Sequence, residues 1–546
     1  MKKSLFLFCA VLLLAGFSGP LSAKGNSQGA AAGQGTPVSG GTLIIGDRVL
    51  DTQLAAKNPF LPQNTDETII QFMYEPLFYF NYVQGTLEPE LASGYEWSSD
   101  YKTLTITVRS GVQWHDGRPF TAEDVAFTYN TLKKEPVLDR YSLWNKLSSV
   151  TAQGDQVVFS LSQPFPSLPY YTNSIYIVPK HIWEAWPSAA EALNQVPVGT
   201  GPFKWESYRT GTDVQLSANK SYWYGAPKLD RILIQMYTSS ANSALAFLRG
   251  DVDTIIGGLS SQYIPQILQR PNAKIQMYSS LFNFVVSINL ENELLSDINV
   301  RKAMRLAMNV EEINTRGEYG TAVALGPGWL PFIFGDLVSE SSKKPLVFDP
   351  AAAQKILTDA GYTKGQDGIF QKNGKRLSFT YHNASGSPSQ QMQAGMIQQY
   401  LLGIGIEIIP RQATAPELVQ LHRTGRFNLL QTGTVFPPDP FASLNTSFHS
   451  SMTAPTGQAA VGNNFFRFRN REVDSLLDQA ASETDQAKQQ QIYHRIQDIL
   501  VEEVPFLPMY TTTGKSPYYE NVRLGGFISD APVFCYRGLT QLYQIK

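Results

Sequence analysis

Stretches with strand periodicity and stretches with helix periodicity alternate along the chain from residue 42 onward. Residues 103–108 (TLTITV) alternate apolar and polar side chains with a period of two, which predicts a half-buried β-strand. Thr121 and Asp124 stand three residues apart ahead of an apolar run, the pattern of a capping box, and predict that a helix begins there. Residues 282–289 (FNFVVSIN) predict a buried strand. The chain therefore mixes both types of element.

Two helix–glycine–strand units follow each other in the C-terminal half. Helices are predicted at 390–402 and 416–423, and each leads through glycine into a predicted strand, at 406–409 and 427–431. Two such units in succession predict a partly parallel sheet in the C-terminal half. The pattern as a whole predicts an α/β fold.

The first 41 residues differ in character from the rest. Two lysines, an apolar run at 5–15 and the small-residue pattern at 21–23 (LSA) are typical of a secretory signal peptide, residues 1–23. The apolar run is shorter than the roughly 20 residues that cross a bilayer. Residues 24–41 are rich in Gly, Ala, Ser and Gln and predict a flexible linker. We therefore predict a secreted, periplasmic protein, cleaved near Ala23 and ordered from Thr42.

Composition narrows the chemistry and the partners. Only 16% of the 546 residues are charged, against roughly 25% in average domains. Lys and Arg form no extended cluster, so nucleic acid is not expected as a partner. The six histidines lack metal-ligand spacing and no zinc, nucleophile-elbow or phosphate-loop motif occurs, so we expect neither a metal nor a cofactor. With 12% aromatic residues and little charge, the chain favours an uncharged ligand.

Several segments resemble one known family and follow the family's order. The longest is 89–130 (PELASGYEWSSDYKTLTITVRSGVQWHDGRPFTAEDVAFTYN). The others are 74–77 (YEPL), 199–203 (GTGPF), 219–227 (NKSYWYGAP), 300–304 (VRKAM) and 349–361. Together they resemble the family 5 extracellular solute-binding proteins, the dipeptide- and oligopeptide-binding type that feeds ABC importers. The resemblance extends over essentially the whole chain after the signal peptide.

The resemblance implies a periplasmic binding protein-like fold of three domains. Two lobes close on a ligand across a hinged cleft, and a further domain is inserted. By analogy, domain I comprises residues 42–82, 199–280 and 516–546, the inserted domain II residues 83–198, and domain III residues 281–515. The resemblance further implies a monomer that captures a small molecule and delivers it to a membrane ABC permease, without enzymatic activity.

The ligand class is predicted from one position. In peptide-binding members that resemble this chain, an aspartate ahead of a (D/E)-P dipeptide pairs with the ligand's α-amino group. In this chain the segment is 433–446 (GTVFPPDPFASLNT), and Phe436 takes the aspartate's position. An ammonium left unpaired in a closed cleft is strongly unfavourable. We therefore predict a cellobiose- or mannobiose-like oligosaccharide, as in the oligosaccharide-binding branch of the family.

Two alternatives remain open. In the first, the chain is a peptide-binding protein of the same family, with Asp439 as the partner of the amino group. In the second, it is a secreted glycoside hydrolase, because the paired carboxylates of such enzymes meet only in the fold.

Eight residues are predicted to line the ligand site, and each also has a purely structural interpretation. They are Asp47 and Arg48 after the first strand, Tyr141 and Trp144 in the insert, Asn283 where the chain crosses between lobes, and Thr434, Phe436 and Asp439 in the domain III loop. Aromatic rings stack on sugar faces, and neighbouring polar groups bind hydroxyls. If Phe436 contacts the ligand, Phe436→Ala weakens binding much more than it lowers the melting temperature.

Overall fold

The structure is a computed structural model of the chain. It describes residues 36–47, 57–61, 67–256 and 258–546. The predicted signal peptide, most of the predicted linker and Arg48 lie outside the described residues. Within the described ranges, no helix is both long enough and apolar enough to cross a membrane.

The described residues form 23 β-strands. In chain order they are β1 (Pro37–Val38), β2 (Thr42–Asp47), β3 (Phe78–Asn81), β4 (Thr86–Pro89), β5 (Ala92–Trp97), β6 (Thr103–Val108), β7 (Leu147–Gln153), β8 (Gln156–Leu161), β9 (Phe203–Arg209), β10 (Asp213–Ala218), β11 (Arg231–Met236), β12 (Thr254–Ile255), β13 (Ala273–Ile288), β14 (Val323–Ala324), β15 (Thr363–Lys364), β16 (Phe370–Lys372), β17 (Lys375–Arg376), β18 (Ser378–Ala384), β19 (Glu407–Ala413), β20 (Leu429–Val435), β21 (Phe506–Tyr519), β22 (Leu524–Gly525) and β23 (Tyr543–Ile545).

The same residues form 16 α-helices. They are α1 (Glu67–Ile70), α2 (Ala122–Lys134), α3 (Leu168–Thr172), α4 (Lys180–Trp183), α5 (Ser240–Arg249), α6 (Ile264–Leu268), α7 (Ile298–Ala307), α8 (Val310–Gly317), α9 (Glu340–Lys343), α10 (Pro350–Asp359), α11 (Pro388–Gly403), α12 (Ala415–Thr424), α13 (Pro440–Phe448), α14 (Arg471–Ala480), α15 (Gln486–Glu503) and α16 (Tyr536–Gln541). Short 3₁₀ helices lie at Pro136–Leu138, Leu143–Asn145, Ser261–Tyr263, Phe332–Leu337 and Ser450–Met452.

One mixed sheet of eleven strands runs through the described part of the molecule. Its order is β19-β18-β20-β13-β21-β12-β2-β11-β10-β9, and β14 pairs with β21 beside that path. β18 lies between β19 and β20 and pairs in parallel with both, while β20 pairs antiparallel with β13, which confirms the partly parallel sheet predicted for the C-terminal half. The central pair, β13 and β21, is antiparallel and has 16 and 14 residues. These two strands are long enough to belong to both halves of the sheet.

A separate antiparallel sheet of four strands, β5-β6-β8-β7, covers much of the predicted insert. The strand predicted at 103–108 is β6, whose burial alternates residue by residue. The predicted capping box is also confirmed, because the backbone N–H of Thr121 donates to Asp124 Oδ2 at 2.9 Å where α2 begins. Local sequence patterns therefore place these elements correctly.

Ordered structure begins earlier than the composition predicts. Pro37–Val38, inside the predicted linker 24–41, form β1 and pair with Gln544 and Ile545 of β23. Residues that have little tendency to form structure alone adopt it here because a distant strand supplies the hydrogen-bonding partners.

Buried apolar side chains form separate cores on the two sides of the β13–β21 pair. The largest core draws on residues 43–256 and on 524–542. Two others draw chiefly on residues 281–510. Independent cores joined by two strands define two lobes, with the inserted domain packed on the first lobe. The fold is thus the α/β periplasmic binding protein-like architecture expected from the sequence, while the exact domain limits stay a prediction.

Candidate functional site

β13 and β21 connect the two lobes side by side. Midway along the pair the register shifts, so that residues 280–282 of β13 lie opposite Thr512 alone. A bulge of this kind bends a strand and increases its twist. We call residues 277–284 of β13 and 510–515 of β21 the crossing.

A cavity of about 390 Å³ lies beside the crossing. Its lining comes from 82–83, from 277–279 and 511–513 on the two strands, and from the segments 320–323 and 331–333 of the second lobe. Residues on both sides of the crossing therefore contribute to it. Its volume falls within the roughly 300–1,000 Å³ of small-ligand sites. This junction is the candidate ligand site.

A chain of hydrogen bonds leads from the core of the second lobe to the crossing. The Tyr381 hydroxyl donates to Gln431 Oε1 at 3.2 Å, and Gln431 Nε2 donates to Gln393 Oε1 at 2.5 Å. Gln393 Nε2 donates to the Tyr510 hydroxyl at 2.9 Å, and that hydroxyl donates to Glu318 Oε1 at 3.3 Å. Buried amides satisfied in this way hold their side chains in one arrangement. The network fixes Glu318 at the end of the chain of bonds.

Glu318 receives two further hydroxyls. Ser389 Oγ donates to Oε1 at 3.0 Å, and Ser261 Oγ, from the first lobe, donates to Oε2 at 2.8 Å. Glu318 is also the C-cap residue of α8, where the helix dipole disfavours a negative charge by about 0.3–1 kcal/mol. A carboxylate in an unfavourable position that bridges two lobes is typical of a functional group.

Lys515 provides a positive charge at the crossing. Its side chain is half-buried, and within the described residues its ammonium has no hydrogen bond and no ion pair. Burial lowers the pKa of Lys515, and the charge of Glu318 opposes that shift. The junction thus holds a carboxylate and an ammonium that do not pair with each other.

Two half-buried aromatic rings border the polar groups. The rings of Phe282 and Phe284 meet edge to face at 5.2 Å, and Phe284 lies 5.3 Å from the ring of Tyr510. Phe282 covers Gly433 on β20 so closely that a Cβ at Gly433 would come within 2.0 Å of the ring. The glycine is therefore required by the position of the ring.

Two of the predicted site residues lie in the core of the second lobe. Asn283 is fully buried, donates to the carbonyl of Trp329 at 2.7 Å and accepts from Thr511 Oγ1 at 2.6 Å. Phe436 is 2% exposed and packs against Trp329 and Phe334. Thr434 pairs with Asn283 across β20 and β13 and is half-buried.

Asp439 and Tyr141 are brought together, but at a different place. Asp439 is 3% exposed, caps α13 by accepting from the N–H of Phe441 at 3.1 Å, and accepts from the Tyr171 hydroxyl at 3.3 Å. Burial raises the pKa of Asp439 to about 6. The Tyr141 ring stands edge to face with Tyr171 at 5.5 Å. This contact joins the insert to the second lobe.

The remaining predicted residues have local structural partners. Trp144 Nε1 donates to the carbonyl of Tyr129 at 2.8 Å, and the Lys133 ammonium lies 4.5 Å from the indole ring. Asp47 ends β2 and is 2% exposed. Of the seven predicted residues that the structure describes, none lines the cavity at the crossing. No group of three potential metal ligands occurs in the described ranges.

Sequence reasoning missed the residues that the junction brings together. Phe282 and Phe284 flank the predicted Asn283 on β13, and side chains one position apart point to opposite faces of a sheet. Glu318 gave only a weak signal, a carboxylate directly before Tyr319 and Gly320, and the structure places it at the C-terminus of α8, where the helix dipole disfavours a negative charge. Lys515 gave no signal in the sequence, because the lack of a partner for its ammonium can be seen only in the folded structure.

Two lobes joined by a pair of long strands, with a ligand-sized cavity at the junction, define a solute-binding protein of the periplasmic type. The sequence model described as "Bacterial extracellular solute-binding proteins, family 5 Middle" matches residues 86–454 of the 546. The chain belongs to this family, as its motifs indicated. The family consists of transport binding proteins that work with ABC permeases, so the chain is a binding protein for a small ligand and not an enzyme. The hydrolase alternative is wrong.

A relative and a solved protein are similar to the chain along nearly its whole length. The chain is 27% identical over 539 residues to "Oligopeptide-binding protein AppA" of Bacillus subtilis (strain 168), with 95% of each chain covered. A periplasmic oligopeptide-binding protein of Thermotoga maritima has a TM-score of 0.80 at 24% identity, covering 92% of this chain and 99% of that one. A second structure of the same Thermotoga maritima protein, with mannohexaose bound, has a TM-score of 0.72 at 25% identity, covering 92% of this chain and 98% of that one.

Proposed function

We propose that this solute-binding protein captures peptides, as a monomer, and delivers them to an ABC permease. The observation that carries the proposal is the similarity to an oligopeptide-binding protein along 95% of both chains. The peptide alternative of the sequence analysis is therefore preferred to the oligosaccharide prediction. Ligand capture would close the lobes about the crossing, since both lobes contribute to the cavity there.

The charges at the crossing support a zwitterionic ligand. Glu318 and Lys515 are half-buried and do not pair with each other. A neutral sugar that displaced water from the junction would leave the Lys515 ammonium without a counter-charge, which is unfavourable. A peptide carries a counter-charge for each of the two residues.

The amino group of the peptide needs a carboxylate, and Glu318 is better placed than Asp439. Asp439 is nearly fully buried and committed to the N-terminus of α13. Glu318 lies within hydrogen-bonding distance of three hydroxyls, of which those of Ser389 and Tyr510 also reach the Gly317 carbonyl and Gln393 Oε1, while an ionised carboxylate offers about four acceptor positions. One position therefore remains for an ammonium.

An oligosaccharide is the second candidate. It is favoured by the mannohexaose-bound structure at 25% identity and by Phe282 and Phe284, which present half-buried rings beside the crossing. Aromatic rings of this kind stack on the apolar faces of sugars.

A thermal-shift screen separates the two ligand classes. Pools of di-, tri- and tetrapeptides are compared with cello- and manno-oligosaccharides, each well above the expected Kd, because a ligand at 100 times its Kd stabilises the fold by about 2.7 kcal/mol. We expect the peptide pools to raise the melting temperature. If the oligosaccharides raise it and the peptides do not, the proposal is overturned. Size-exclusion chromatography with light scattering tests the monomer.

A further inference from the structure

Lys515 follows the cavity-lining residues 511–513 along β21 without lining the cavity itself, and within the described residues its charge has no ion-pair partner. Its backbone pairs with Met277, which lines the cavity. Thr513, two residues earlier and thus on the same face of β21, also lines it. Thr512, on the opposite face of β21, lines the cavity as well, so the cavity adjoins both faces of the strand, and the flexible four-carbon side chain of Lys515 can extend toward a ligand there.

A half-buried ammonium without a hydrogen-bond acceptor is unfavourable. A second lysine on the same pair of strands has the ion-pair partner that Lys515 lacks. Lys274, on β13 outside the crossing, has Glu520 as an ion-pair partner at 3.9 Å. Within the described residues Lys515 has no such partner, although burial lowers its pKa. Unpaired buried charges are rare in proteins unless they have a function. The absence of an anionic partner for Lys515 within the described residues therefore indicates that a ligand supplies the anion.

Glu318 accounts for the charge state of Lys515 without neutralising it. The negative charge of Glu318 raises the pKa of Lys515 and so opposes the effect of burial. The Glu318 oxygens are held by Ser261, Ser389 and Tyr510, and they lie beyond the 4.0 Å limit of an ion pair with Lys515. The charge of Glu318 therefore favours the ammonium form of Lys515 without pairing with it.

We propose that Lys515 binds the C-terminal carboxylate of a peptide ligand. The inference rests on the proposed peptide-binding function and specifies which end of the ligand the crossing recognises. A charge-assisted hydrogen bond in a site that excludes water is strong and directional, so the contact would select peptides with a free carboxyl terminus. Peptides whose terminus is an amide would bind poorly.

The test uses one set of peptides in two chemical forms. A pool of tetrapeptides made from Ala, Leu, Ser and Phe, which contains no carboxylate other than the terminus, is compared with the same pool amidated at the C-terminus. Affinities are measured by titration calorimetry for the wild type and for Lys515→Met, Lys515→Arg and Lys274→Met. Circular dichroism verifies that each variant is folded.

We expect the wild type to bind the free-acid pool at least about tenfold more tightly than the amidated pool, the scale of one charged hydrogen bond. In Lys515→Met the affinity for the free-acid pool falls while that for the amidated pool is unchanged, so the two pools bind equally. Lys515→Arg retains a preference for the free acid, which also serves if the methionine variant does not fold. Lys274→Met keeps the wild-type ratio.

Two results overturn the inference alone: equal binding of both pools by the wild type, or an unchanged ratio in Lys515→Met. Both leave the protein a peptide binder. If neither pool binds the wild type while an oligosaccharide does, the proposed function and the inference fail together.

Discussion

Asp439 is a carboxylic acid that stands almost wholly inside the protein. It faces Tyr171 and the N-terminal amides of α13. Burial outweighs these hydrogen bonds and raises its pKa from 3.8 to about 6. The folded protein therefore binds a proton at Asp439 more readily than the unfolded chain does, and the free energy of unfolding falls as pH rises from about 4 to about 6.

Asp439→Asn is expected to remove this pH dependence while keeping the helix cap, because asparagine caps helices well. The difference in unfolding free energy between variant and wild type should rise from pH 4 to pH 7, by up to about 3 kcal/mol for a shift of two pKa units. Urea unfolding at pH 4, 5, 6 and 7 measures it. Asp349→Asn, which changes the cap of α10, controls for the substitution itself. A flat difference for Asp439→Asn would contradict the raised pKa.

Phe436→Ala is expected to act on stability and not on binding. Truncating a buried phenylalanine costs about 3–5 kcal/mol, and the ring is packed against Trp329. Urea unfolding together with peptide titration measures the two effects separately. Val435→Ala, at a neighbour that is 67% exposed, is the matched control. Weaker peptide binding at unchanged stability would restore Phe436 as a ligand residue, as the sequence suggested.

At the scale of elements, β13 and β20 pack closely at one point, where the ring of Phe282 on β13 covers Gly433 on β20. Phe282 occupies the space that a side chain at Gly433 would need. The backbone of Gly433 needs no unusual dihedral angle, so the constraint is purely one of space.

Gly433→Ala is expected to lower the free energy of unfolding by about 1–3 kcal/mol, the usual cost of overpacking. Phe282→Ala removes the obstacle, so the double variant should be less destabilised than the sum of the two single variants. A double-mutant cycle by urea unfolding measures this coupling. Gly395→Ala, on α11 where a Cβ meets nothing within 4 Å, is the control. Additive effects would show that the ring and the glycine are independent.

The elements themselves were predictable, whereas the faces they present were not. Periodicity and capping are local properties, so β6, α2 and the C-terminal helix–strand units were found from sequence. The face of β13 that meets the cavity depends on a bulge opposite Thr512 and on pairing with β21, more than two hundred residues away. We predicted Asn283 as a ligand residue, but the side chains beside the polar groups are those of its neighbours Phe282 and Phe284. Adjacent residues of a strand point to opposite faces of the sheet, so an error of one position selects the wrong face.

At the scale of the whole molecule, the family motifs predicted the fold because they mark scaffold positions throughout the chain. They could not predict the charges at the crossing. Lys515 and Glu318 come from segments nearly two hundred residues apart, and only the fold brings their charges together where the two lobes meet. The motifs also could not predict the core of the first lobe, because this core combines residues near both ends of the described chain.

Cys535 is expected to report on the unfolding of that lobe. The thiol is 6% exposed, accepts from the N–H of Gly538, and burial raises its pKa to about 11. In a chain without residues 1–23 it is the only cysteine. We expect Ellman's reagent to react slowly with the native protein and rapidly in urea, with the same midpoint as circular dichroism. Rapid reaction in buffer would show that the lobe opens locally.

β1 and β23 hold the two ends of the described chain against each other. Thr36 donates its N–H to the carbonyl of Lys546 at 2.9 Å and accepts from the N–H of Lys546 at 3.2 Å. A circular permutant that joins residue 546 to residue 36 by a few glycines would therefore need no rearrangement of either lobe. New ends could then be cut beside the cavity, so that a fluorophore attached there would change its signal when the lobes close on a ligand.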